Sequence, residues 1–126
     1  MIKFNNEIIL SLQNLIISNS GGTNGIRDIN LLDSAVQSAF QTFGGFDLYP
    51  TIEEKGARLG YNLISNHAFL DGNKRIGILV MLCFFEINNI NLNLTDDDII
   101  YLGLGIADGS INYENLLNFI KNHIIF

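Results

Sequence analysis

His67-Ala68-Phe69-Leu70-Asp71-Gly72-Asn73-Lys74-Arg75 lies between two helix-compatible runs, and its reading organises the whole chain. Asp71-Gly72-Asn73 is a strong turn signal. The apolar run from Ile76 to Phe85 follows at once, so the turn leads into the N-terminus of a helix expected from about Asn73 to Ile87. A helix start presents N–H groups that no carbonyl of the helix accepts, together with the positive end of its dipole. That is an anion site. Gly72 removes side-chain bulk where a phosphate would approach the backbone, and Lys74 and Arg75 add full positive charge beside it. Two cations in a first helical turn oppose the dipole, a penalty that a bound polyphosphate reverses. Asp71 is a carboxylate in reach of a divalent ion, and magnesium takes one or two carboxylates plus phosphate oxygens. His67 is a histidine, a side-chain type whose unperturbed pKa suits removing a proton from an incoming hydroxyl. Asn73 is a hydrogen-bond donor to phosphate or a brace for the loop, and Phe69 is an apolar plug that fixes it. Taken singly, each residue also fits a plainer role: a helix-capping histidine, an ordinary turn, two solvated cations. Together, base, metal ligand, turn and two phosphate donors favour the site.

Working outward, the helical periodicity is strong. Ile8, Ile9, Leu12, Leu15 and Ile16 mark a helix from Asn6 to Ser18, and Ser18 to Gly25 reads as a loop. Asp28 is placed to cap a second helix that buries Leu31, Leu32, Ala35, Val36 and Ala39. Thr51 caps a third, reaching about Asn66. The run from Asn73 is apolar nearly all round, as expected of a central helix. Asn88 to Asn93 is a turn. Thr95 and Asp98 have capping-box spacing for a fifth helix to about Ala107, which Asp108-Gly109 ends. A sixth runs from Tyr113 to about His123. Between the second and third helices, Phe43 to Pro50 breaks the pattern: Gly44, Gly45 and Pro50 exclude a helix, and an exposed flap or short hairpin is expected.

Length and composition agree with this outline. The chain has 126 residues, 48% hydrophobic and 16% charged, with one proline, so a single all-α domain over 1–126 is expected. A net charge of −6 disfavours direct nucleic-acid binding. Cys83 has no partner for an intrachain disulfide and reads as a small buried apolar residue, and no zinc-ligand spacing occurs. Asp96-Asp97-Asp98 reads as a solvated helix start favoured by the macrodipole, in preference to a metal site. No segment has the apolar length of a membrane span, and the start is amphipathic, unlike a signal peptide. A cytoplasmic location is expected.

HAFLDGNKR resembles the signature of the Fic/Doc family, His-x-Phe-x-Asp-Gly-Asn-(Gly or Lys)-Arg, and Lys74 resembles the death-on-curing (Doc) toxin branch. The likeness continues in the same order through Gly25-Ile26-Arg27-Asp28, Leu31-Leu32-Asp33-Ser34-Ala35, Phe43-Gly44-Gly45 and Leu48-Tyr49-Pro50-Thr51. It implies a Fic/Doc-type bundle of about six helices. It implies His67 as general base, Asp71 as magnesium ligand, and Gly72, Asn73, Lys74 and Arg75 as a cradle for the phosphates of ATP. It makes Gly44, Gly45, Phe46, Asp47, Leu48 and Tyr49 a flap that positions a target chain, a role in which a strand can add to the target backbone.

AMP-transferring members of the family carry Gly where this chain has Lys74, and a further Arg where it has Ile78. The Doc branch shares both changes. The resemblance therefore implies a kinase that transfers the terminal phosphate of ATP to a Ser or Thr hydroxyl of a translation factor, elongation factor Tu, and so halts translation. It also implies restraint by a separate Phd-like antitoxin. AMP transfer and a binding domain without catalysis are the alternatives. Ser110-Ile111-Asn112-Tyr113-Glu114-Asn115 matches the family's inhibitory pattern (Ser or Thr)-x-x-x-Glu-(Gly or Asn), with Ser110 and Glu114 as its key residues. The preferred reading of that segment is local: a cap from Ser110 or Asn112, with Glu114 favouring the first turn. Tyr49, Arg27 and Arg58 could touch target or nucleotide, though nothing in the sequence forces this, and Arg27-Asp28 is expected to be a loop and cap pair.

Overall fold

A computed structural model describes residues 4–20, 26–66 and 73–125. It contains six helices: α1 (Asn6–Ser20), α2 (Ile29–Ala39), α3 (Ile52–Ser65), α4 (Asn73–Ile87), α5 (Asp96–Asp108) and α6 (Tyr113–Lys121). Four two-residue strands form two antiparallel pairs: β1 (Thr42–Phe43) with β2 (Phe46–Asp47), and β3 (Asn91–Leu92) with β4 (Ile124–Ile125). The all-helical expectation holds.

The centre is the α3·α4 pair. α4 also meets α1 and α5, while α3 meets α2, α5 and α6. Small residues allow the close approach. A Cβ on Gly56 would lie 2.2 Å from the Phe85 ring, and one on Gly77 would lie 2.4 Å from Ile64 Cγ1. α3 thus shares the centre that the sequence assigned to α4 alone, because glycines that look like breakers are its contact points. Phe84 anchors the core, with Phe4 and Phe40 edge-on at 5.9 and 5.8 Å.

Caps explain most boundaries. The Asp28 side chain accepts from Asn30 N, Thr51 accepts from Glu54 N, and Thr95 and Asp98 form the expected capping box. Gly109, left-handed at φ 85°, closes α5. Asn89, with φ 65°, ends α4, and Ile90 N donates to Phe85 O at 2.8 Å.

Some expectations need correction. α1 continues to Ser20, into the expected loop, because Ser and Asn are tolerated at a fraying end. Ile8 and Leu15 are exposed, whereas Gln13 joins Ile9 inside, so the buried stripe of α1 is rotated from the apolar one. Asn91–Leu92, expected as turn, is a strand because residues 124–125 come back to pair with it. Cys83 is half-buried, not fully buried.

Candidate functional site

α4 begins at Asn73, so Asn73, Lys74 and Arg75 occupy its first turn as expected. Asn73 is half-buried and the two cations are exposed. His67, Phe69, Asp71 and Gly72 lie outside the described residues. Lys74 and Ile78, one turn apart, face α5 at Gly103. A Cβ on Gly103 would meet Lys74 Cβ at 3.7 Å and Ile78 Cγ1 at 3.9 Å. Lys74 thus begins beside α5 but is exposed as a whole, and Ile78 is only 4% exposed.

The residue that precedes His67 is held by a contact from outside its helix. α3 ends at Asn66, and the Arg27 guanidinium donates to Asn66 O at 3.1 Å. Arg27 thus braces the residue that precedes His67, while its neighbour Asp28 caps α2. Asp96, Asp97 and Asp98 form the first turn of α5. Among the described residues no three His, Cys, Asp or Glu side chains gather in a metal cluster.

The hairpin expected within Phe43 to Pro50 runs from Thr42 to Asp47. Thr42 pairs with Asp47 and Phe43 with Phe46, and Leu48 N adds a bond to Gln41 O at 3.0 Å. The turn residues Gly44 and Gly45 have φ of 60° and 85°, the double left-handed geometry of a two-residue hairpin turn. Phe43 and Phe46 are 84% and 79% exposed, and Leu48 is exposed as well. Large apolar side chains standing out on a narrow ribbon are unusual for a surface without a partner.

The base of the hairpin meets Lys55, which the sequence reading missed, and Arg58, to which it assigned no definite contact. Lys55 is 2% exposed, and its ammonium donates to Asp47 Oδ2 at 3.1 Å and to Tyr49 O. Arg58 lies in a cage of rings, 3.7 Å from the Tyr113 centroid, 4.9 Å from Tyr49 and 5.7 Å from Tyr61. Tyr113 OH donates to Glu54 O at 3.1 Å. Burial, opposed by the Arg58 charge, pushes the Tyr113 hydroxyl up to about 12. A signal for Lys55 was present: Ile52, Gly56, Leu59 and Leu63 trace the buried stripe of α3, and Lys55 falls on it.

Ser110 donates from its N–H to Asp108 Oδ1 at 2.8 Å and from its hydroxyl to Gly105 O at 3.4 Å. The cap of α6 is Asn112, which exchanges hydrogen bonds with Asn115, and Glu114 is exposed in the first turn. Among the described residues, no helix is long and apolar enough to cross a membrane.

Comparison with known proteins adds two findings. A family model described as the Fic/DOC family matches residues 3–85. A protein named Toxin Doc, from Mycolicibacterium smegmatis, is 42% identical over 72 residues, covering 57% of this chain and 55% of the relative. The chain therefore spans about half the length of the curated relative it matches.

Proposed function

Because the chain belongs to the Fic/DOC family, we propose that it is a Doc-type toxin, a kinase that transfers the terminal phosphate of ATP to a Ser or Thr hydroxyl of elongation factor Tu. One observation carries the choice of phosphate over AMP. All the positive charge of α4 sits in its first turn, at Lys74 and Arg75. At Ile78, where AMP-transferring members place a further Arg, the side chain is buried against α5. Moving charge from Ile78 to Lys74 changes which phosphate is stabilised, and phosphoryl transfer depends almost wholly on positioning and charge.

The residues present fit a nucleotide. The first turn of α4 offers two exposed cations and a helix start. When bound, ATP supplies the phosphoryl group and a magnesium ion neutralises its developing charge. Gly72, Asn73, Lys74 and Arg75 bind the phosphate oxygens, and Asp71 holds the metal. His67 accepts the proton of the target hydroxyl. The hairpin Phe43 to Pro50 orients the target chain by adding a strand to it, and Gly44 through Tyr49 form that surface. The likeness to a protein named Toxin Doc supports a toxin role and an antitoxin of the Phd kind as the restraining partner. The local hydrogen bonds of Ser110 and the Asn112 cap support a structural role for residues 110–115, and Glu114→Ala is expected to leave activity without antitoxin unchanged.

The test is label transfer from ATP to purified elongation factor Tu in the presence of magnesium. Label from the gamma position is expected, and none from the alpha position. A His67→Ala variant should transfer neither. Alpha label without gamma label would overturn the kinase reading in favour of AMP transfer. A His67→Ala variant that arrests growth as the parent does would point to a binding domain without catalysis.

A further inference from the structure

The hairpin β1–β2 has too little structure to hold its own place. Each strand contributes two residues, and residues 41–48 are all exposed. An isolated two-stranded ribbon is marginal in water. Yet a strand that adds to a target chain must present a defined edge. Its trailing leg, Asp47 to Tyr49, is held by two cations one turn apart on α3. Lys55 donates to the Asp47 carboxylate and to the Tyr49 carbonyl. Arg58 lies 4.9 Å from the centroid of the Tyr49 ring and 3.7 Å from that of Tyr113 on α6, and the two rings also meet each other edge-on at 5.7 Å. Arg58 Nε is buried without a hydrogen-bond partner among the described residues, so this end of the guanidinium works through the ring faces.

A lysine 2% exposed is rare unless it is paired, and burying its charge is costly without good partners. Here both partners belong to the hairpin and its exit. A methionine would fill the space without charge. An ammonium with two fixed acceptors sets a direction as well as a contact. Arg58 carries that direction through to α6, so the ribbon is referred to both α3 and α6.

We propose that Lys55, with Arg58, is a positioning residue for the protein substrate: it fixes the angle and register at which the hairpin edge meets the target chain. This rests on the reading of the hairpin as a target-positioning flap. It predicts that loosening the clamp impairs recognition of the protein and spares recognition of the nucleotide.

The experiment compares the parent with Lys55→Met, Lys55→Arg, Asp47→Asn and the flap-tip variant Phe46→Ser. Two quantities are read: amide hydrogen exchange at Phe43, Phe46 and Leu48 against that of α4, and KM for elongation factor Tu against KM for ATP. In Lys55→Met and Asp47→Asn, flap exchange should rise about tenfold while α4 amides stay protected. KM for the protein should rise about tenfold with KM for ATP unchanged, and Lys55→Arg should recover most of both. Asp47 is half-exposed, so Asp47→Asn keeps the test decisive if Lys55→Met does not fold. Unchanged flap exchange in Asp47→Asn overturns the clamp. Faster exchange with an unchanged protein KM, while Phe46→Ser raises it, overturns the positioning role and leaves the flap reading standing. If Phe46→Ser also leaves KM unchanged, the flap reading itself fails. A parent chain that labels no elongation factor Tu sinks the proposed kinase target and with it the positioning role, and exchange then decides the clamp alone.

Discussion

Lys74 occupies, at the scale of one residue, a position that costs the fold something. It stands exposed in the first turn of α4, where a cation opposes the helix dipole. Lys74→Ala is therefore expected to raise the unfolding free energy by about 0.3 kcal/mol, the low end for a screened surface charge. The same change should reduce gamma-label transfer at least tenfold if Lys74 cradles a phosphate. Stability and activity moving in opposite directions is the signature; a loss of both would assign Lys74 to packing against α5. Tyr113 gives a pH prediction. Its hydroxyl is raised from 10.0 to about 12, mainly by burial. Below pH 10 it is protonated in both states. Between pH 10 and about 12 the unfolded chain releases that proton first, so stability falls as pH rises through this window. Denaturant midpoints across that range should fall less steeply for Tyr113→Phe than for the parent.

The helices differ in how much of their role could be read from local sequence. The Thr95–Asp98 capping box was legible because it needs only four consecutive residues, and so was the end of α5 at Gly109. The helix start at Asn73, Lys74 and Arg75 was legible because the turn signal and the apolar run after it are consecutive, while His67 to Gly72 of the candidate site lie outside the described residues. The pairing of β3 with β4 was not legible, since a turn-like Asn91–Leu92 becomes a strand only when Ile124–Ile125 arrives beside it. Lys55 was missed because a lysine after two glutamates reads as a solvated face, although its helical position was an inward one. Gly56 was missed as a packing residue because a glycine inside a helix reads as a breaker. Gly56→Ala would place a methyl group 2.2 Å from the Phe85 ring, inside contact distance. Strain of this kind costs about 1–3 kcal/mol, more than the gain in helix propensity returns. A lower chemical-denaturation midpoint for Gly56→Ala, with an unchanged slope, would confirm it.

α3 and α4 form the shared centre of the molecule, the segment proposed to handle phosphate lies between them in sequence, and the hairpin precedes α3. Arg27 braces Asn66 before the turn, and Lys55 and Arg58 brace the hairpin, so both candidate working segments are tied back to α3. A chain with a net charge of −6 keeps its few cations for these places: Arg27, Lys55, Arg58, Lys74 and Arg75 are five of its seven Lys and Arg residues.

The bare ribbon at Thr42–Asp47 also has a hazard built into it. A hairpin with unpaired outer edges and two protruding phenylalanines is a template for any extended chain, including the same segment of another molecule. At high concentration the protein is expected to form dimers and larger species through these edges, and light scattering should detect them. Phe46→Lys would place a gatekeeper charge on the ribbon and suppress this association. If the hairpin serves a target as proposed, the same exposed surface would make the unoccupied protein prone to associate, and a partner that covered it would act as a solubiliser as well as an inhibitor.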